Sequence, residues 1–152
     1  MSQELVRFAP LFYGMSMLPK KIWKEYGYAL LCIAGSDGEV SDPELEWLTI
    51  DLAESLSVDM ETVADWEEYD FEEGNLEEIF SSIRIASIAN FNKVLIYDAI
   101  RICSADGHYA DEERDKVAEA AKILQVSNEA VLAIEALVDL ETAASRLRMI
   151  VL

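Results

Sequence analysis

The stretch Ala34-Gly35-Ser36-Asp37-Gly38-Glu39-Val40-Ser41-Asp42-Pro43-Glu44 decides how this 152-residue chain is read. Asp37-Gly38 interrupts an apolar run where a reversal between helices calls for positive φ, which glycine adopts without steric cost. Ser41, with Glu44 three residues on and Pro43 in the first turn, is the signature of a capping box that opens a new helix. The stretch is therefore a helix end, an acidic turn and a helix start. It occurs twice: Cys103-Ser104-Ala105-Asp106-Gly107-His108-Tyr109-Ala110-Asp111-Glu112-Glu113 repeats the pattern Asp-Gly-x-x-x-Asp-x-Glu at an offset of 69.

The likeness extends outward from the turns. At the same offset Tyr28 pairs with Tyr97 and Ile33 with Ile102. After a slip of one residue, Ala53-Glu54-Ser55-Leu56-Ser57-Val58 pairs with Ala121-Lys122-Ile123-Leu124-Gln125-Val126, and Val63 with Val131. Self-similarity over a helix, turn and helix implies duplication of one supersecondary unit, each half covering the other's apolar face. The halves fall at about 19–70 and 88–140 of a single domain spanning 1–152.

The remaining segments read as helices too. Leu18 to Ala34 opens at Pro19 and repeats Ile22, Tyr26, Ala29, Leu30 and Ile33 at steps of three and four. Leu45, Leu48, Leu52 and Leu56 line the helix after Ser41. Further helices are expected over Asp59 to Tyr69, Leu76 to about Ile88, a segment capped by Asn90 or Asn92 and running to Cys103, and Asp111 to Leu124. Ser127 caps a long last helix whose apolar face is expected along Leu137, Leu140, Ala144, Leu147 and Val151. With no sustained period-two alternation, the fold class is all-α, a bundle of about seven or eight helices with short connections.

Composition narrows the function. Twelve Lys plus Arg stand against 30 Asp plus Glu, a formal charge of −18, which would repel a nucleic acid. A hydrophobic fraction of 52% is too high for a disordered acidic tail. No apolar run reaches spanning length, so no membrane insertion is expected. Two cysteines, Cys32 and Cys103, in a chain without a secretory leader pattern favour reduced, buried thiols and the cytoplasm.

The whole net charge belongs to one region, since Glu25 through Ile83 holds 18 acids and no base. Its densest part, 61–78, sets nine acids among Trp66, Tyr69, Phe71 and Leu76. Such a run is a solvated face or a dock for a basic partner. The N-terminal segment, with Arg7, Lys20, Lys21 and Lys24 among aromatics, is a candidate to pack on it.

The turns carry the candidate chemistry. With Gly38 at position 6 of an EF-hand loop, Asp37 falls at position 5 and Glu44 at position 12, where a bidentate carboxylate belongs; Gly107, Asp106 and Glu113 do the same. Positions 1 and 3 are Ile33 and Gly35, then Ile102 and Ser104, so these are not ordinary EF-hands. What remains is a half-set of hard oxygen ligands, Asp37, Asp42, Glu44, Asp106, Asp111 and Glu113, suited to Ca²⁺ or Mg²⁺ over softer ions and to affinities on the order of 10⁻⁴ to 10⁻³ M unless the two turns meet and share ligands. The competing explanation is helix capping alone, with these acids stabilising helix starts. Enzyme readings fail on residue supply: one histidine, His108, excludes paired Glu-x-x-His motifs, and no glycine-rich phosphate loop exists. Both cysteines sit on apolar helix faces, as inert thiols do. Trp23, Trp47 and Trp66 read as packing residues.

At these two turns the sequence resembles the TerB family, small acidic proteins associated with tellurite resistance, over most of the chain after about Pro19. The resemblance implies a TerB-like helical bundle with internal pseudo-twofold symmetry, no enzymatic activity, and a cytoplasmic stress-response role beside membrane-associated protein partners. It implies divalent-metal binding by Asp37, Asp42, Glu44, Asp106, Asp111 and Glu113, for which the oxygen-ligand chemistry of the turns favours Ca²⁺ over Mg²⁺. The alternative is a metal-independent interaction module acting through 61–78.

Overall fold

The computed structural model describes residues 22–83 and 91–152. Among them every regular element is helical. α1 is Trp23–Ala34, followed by a 3₁₀ turn at Gly35–Asp37. α2, Asp42–Glu46, runs without a break through a π-helical stretch, Trp47–Leu52, into α3, Ala53–Leu56. α4 is Met60–Glu68, a 3₁₀ turn follows at Phe71–Glu73, and α5 is Leu76–Ile83. The second half holds α6, Phe91–Cys103, α7, Asp111–Ile123, and α8, Asn128–Val151.

The duplication is legible in backbone detail. Gly38 and Gly107 both take positive φ, 105° and 81°. Ser57 and Gln125, equivalent after the one-residue slip, are left-handed at 56° and 60°. The amides of Val58 and Val126 then donate to the carbonyls of Ala53 and Ala121, each at 2.8 Å. Asp59 and Ser127 cap the next helices through the amides of Thr62 and Ala130. The slip itself has a structural form. Between Glu44 and Ala53 the first copy holds one residue more than the second holds between Glu113 and Ala121. There alone among the described residues the helix widens to π geometry, the form in which a helix absorbs a single insertion.

α1 is the central rod, with nine of its twelve residues buried, and it packs on α4, α5, α6 and α7. Its close approach to α4 depends on Gly27, where a Cβ would overlap the Trp66 indole. Trp66 is buried and its Nε1–H donates to the Lys24 carbonyl at 3.1 Å. All three tryptophans are buried, as expected. α2 leans on α6, while α7 packs on the turn at Gly35–Asp37, so each half supports the other.

Three expectations need correction or fall outside. Asn92 lies inside α6 and donates from Nδ2 to the Leu124 carbonyl, so it is no N-cap. The supposed core face of α8 is exposed: Leu137, Leu140, Leu147 and Val151 face solvent, and Val138 is the residue that α8 buries. The N-terminal segment before Ile22, with Pro19, and the stretch through Ile88 and Asn90 lie outside the described residues. Among those described, no helix is long and apolar enough to cross a membrane.

Candidate metal centre

Both Asp-Gly turns deliver a glutamate to the third position of the next helix. Ser41 caps α2 by accepting from the Glu44 amide at 3.3 Å, and Glu44 Oε1 accepts from the Ser41 amide at 2.8 Å, a complete capping box. Ala110 has no side-chain oxygen to offer, so α7 keeps the reciprocal half: Glu113 Oε1 accepts from the Ala110 amide at 2.8 Å. Each carboxylate thus spends one oxygen on its own helix start. That bond orients the other oxygen inward.

Inward, the two repeats meet. One oxygen of Glu44, one of Glu113 and the sulfur of Cys103 lie within 4.8 Å of one another, and the three residues are 2%, 1% and 0% exposed. Oε2 of each glutamate is buried and receives no hydrogen bond from any N–H or hydroxyl. Two buried carboxylates facing each other, with only the weak Cys103 S–H beside Glu113, cannot both be ionised at low cost. Burial, then the facing Glu113 carboxyl, pushes Glu44 up to about 8. Burial also raises Glu113, and it raises Cys103 strongly, with the two glutamates adding to the effect. At neutral pH the pair therefore holds a proton between its carboxyls and the thiol stays neutral. A cation entering there would take the place of that proton.

The four aspartates do not join this group. Asp37 Oδ1 accepts from the Glu39 amide at 3.3 Å and Asp106 Oδ1 from the His108 amide at 2.8 Å, bonds that tie each turn locally. Both residues are exposed, although Asp37 is near enough that its charge raises Glu113 and Cys103. Asp42 and Asp111 are exposed at the first position of their helices, favourable for the helix dipole. His108 is exposed. Of six candidate ligands, the fold brings two together and adds Cys103, which the chain pattern signalled only by its place one turn before Asp106-Gly107.

A second buried acid was missed. Asp98, 1% exposed in α6, accepts from Tyr26 Oη at 2.6 Å and from Arg101 at 3.3 Å. The Arg101 guanidinium lies over the Trp47 and Tyr97 rings at 5.0 and 4.9 Å. Asp98 locks α1 to α6 through the Tyr26 bond, and that partner, 72 residues away, is not readable from spacing, unlike Arg101 one helical turn on.

No family profile and no curated protein matches the sequence. Among solved structures, a tellurite resistance protein from Nostoc punctiforme superposes with a TM-score of 0.79 at 25% identity, over 95% of this chain and 89% of that one. The fold is TerB-like. In this chain the acidic turns on which the resemblance rests place Glu44 and Glu113 at the seam between the repeats.

Proposed function

We propose that this TerB-like protein is a non-catalytic, cytoplasmic stress-response protein that binds a divalent cation between its two repeats, with Glu44 and Glu113 as ligands and Cys103 beside them. The observation that carries the reading is the pair of buried Oε2 atoms that no N–H or hydroxyl serves, an arrangement that favours a positive charge between them. Both residues fit as monodentate ligands, because each remaining oxygen is held by a helix-start amide. Ca²⁺ takes six to eight oxygens, more than converge here, while a set of two carboxylates and a thiol suits an ion that accepts sulfur and a low coordination number, such as Zn²⁺. The preference for Ca²⁺ drawn from the turn pattern therefore gives way to a smaller ion.

The test is calorimetric titration of the metal-stripped chain with Zn²⁺, Mn²⁺, Ca²⁺ and Mg²⁺ at pH 7, beside Glu44→Gln and Glu113→Gln. Zn²⁺ should bind with proton release, and each variant should weaken it at least tenfold. Absence of binding by all four ions at millimolar concentration removes the proposal.

A second reading rests on the segment 61–78. All its acids except Asp65 are exposed, while Trp66 and Leu76 turn inward. Among the described residues its one ion pair is Lys24–Asp65. That surface favours docking of a basic protein segment without any metal. Binding that falls steeply with salt and is abolished by charge reversal at Glu67, Glu68 and Glu72, but not by Glu44→Gln, would support it.

A further inference from the structure

α8 bears an apolar stripe that its own core does not use. Val138 is buried, and Val131, Ile134 and Glu141, half-buried, share its side. On the opposite side, Ala133, Leu137, Leu140, Ala144, Leu147 and Val151 recur at steps of 4, 3, 4, 3 and 4. Leu140 is 69% exposed, Leu147 59% and Val151 65%. From Thr142 to Leu152 every residue is exposed, although the helix continues to Val151. Strictly alternating steps of four and three residues are those of a coiled-coil seam, whose knobs need holes of the same spacing on the partner.

We infer that this stripe is a homodimer interface, in which α8 of a second copy lies antiparallel against it. Charge sets the orientation. The last eleven residues carry Arg146 and Arg148 and no acidic side chain, whereas residues 128–141 of the helix carry Glu129, Glu135, Asp139 and Glu141. Antiparallel pairing lays the basic half of each helix along the acidic half of the other and keeps the two bodies of charge −18 at opposite ends. Size sets the register. Leu140 meets Ala144 of the second copy, Ala133 meets Val151, and Leu137 meets Leu147. A parallel pair would instead put Ala144 on Ala144 and leave a void. The stripe would bury roughly 600 Å² per copy, about 1,200 Å² in all, the lower edge of a stable specific interface.

Light scattering on the wild-type chain should give a mass of about 34 kDa, twice 17.1 kDa. Leu140→Asp combined with Leu147→Asp should raise the dimer dissociation constant at least 100-fold and return the mass to 17.1 kDa with unchanged helical circular dichroism. Both side chains are exposed in the single chain, so the substitutions spare its core. Leu140→Cys with Ala144→Cys should give a disulfide-linked dimer on mild oxidation. A wild-type chain that stays monomeric at about 100 μM, a dimer indifferent to the aspartate pair, or cysteines that do not cross-link would overturn the inference.

Discussion

Replacing Glu44 by glutamine should remove the loss of stability that this protein suffers as pH rises in the absence of metal. In Glu44→Gln the side-chain amide oxygen can still accept from the Ser41 amide, and the new NH₂ donates to Glu113 in place of the shared proton, so the variant is frozen in the protonated arrangement. In the wild type, Glu44 rises from 4.5 to about 8 on folding. The folded chain then binds the proton more tightly than the unfolded one, so the contribution is fully present below about pH 4.5, is lost as pH climbs from there to about 8, and is absent above. At about 1.4 kcal/mol per pH unit that window is worth on the order of 5 kcal/mol. In a chain of this length the difference corresponds to roughly 10–20 °C in melting temperature. Thermal melts in chelator at pH 5, 7 and 9 read it directly. The two proteins should melt together at pH 5, and the variant should melt higher at pH 9. Parallel curves across that range, or a variant less stable at pH 9, would refute the shared proton. With saturating metal the sign inverts, because only the wild type gains the bound ion's stabilisation.

Three further outcomes are expected. Gly27→Ala should cost about 3 kcal/mol or more in chemical denaturation, since its Cβ overlaps the buried Trp66 indole and breaks the bond to Lys24; a loss under about 1 kcal/mol would show that α1 and α4 can part cheaply. Deleting Ile50, a half-exposed residue of the π stretch, should regularise the first-copy helix and keep the fold within a few degrees of the wild-type melting temperature, whereas loss of cooperative melting would show that the extra residue is needed. Both thiols are free and buried and both are raised by burial, so an aromatic disulfide reagent should label them at least 100-fold more slowly than in denaturant.

The parts of this fold that were legible in the sequence are those whose causes are local. A capping box needs residues three apart, and a left-handed turn needs a glycine or a helix-ending residue, so Ser41, Glu44, Gly38 and Gly107 read correctly. The repeat made the second copy readable from the first. Ligand convergence is a different kind of fact. Nothing in the spacing of the six acids separates Glu44 and Glu113, whose side chains enter the seam, from Asp37 and Asp106, whose oxygens close their own turns. α8 misled for a related reason: a 3.5-residue apolar rhythm states that a helix has a partner surface, and its own core supplied Val138's side instead.

Because one glutamate of the pair comes from each repeat, neither half of the chain owns the centre. A single copy of the unit carries one such acid, so two side by side require either two molecules meeting about a dyad or both copies in one chain. Holding both copies in one chain makes the pairing independent of protein concentration, and leaves the halves free to differ elsewhere, as the extra residue in the first copy shows.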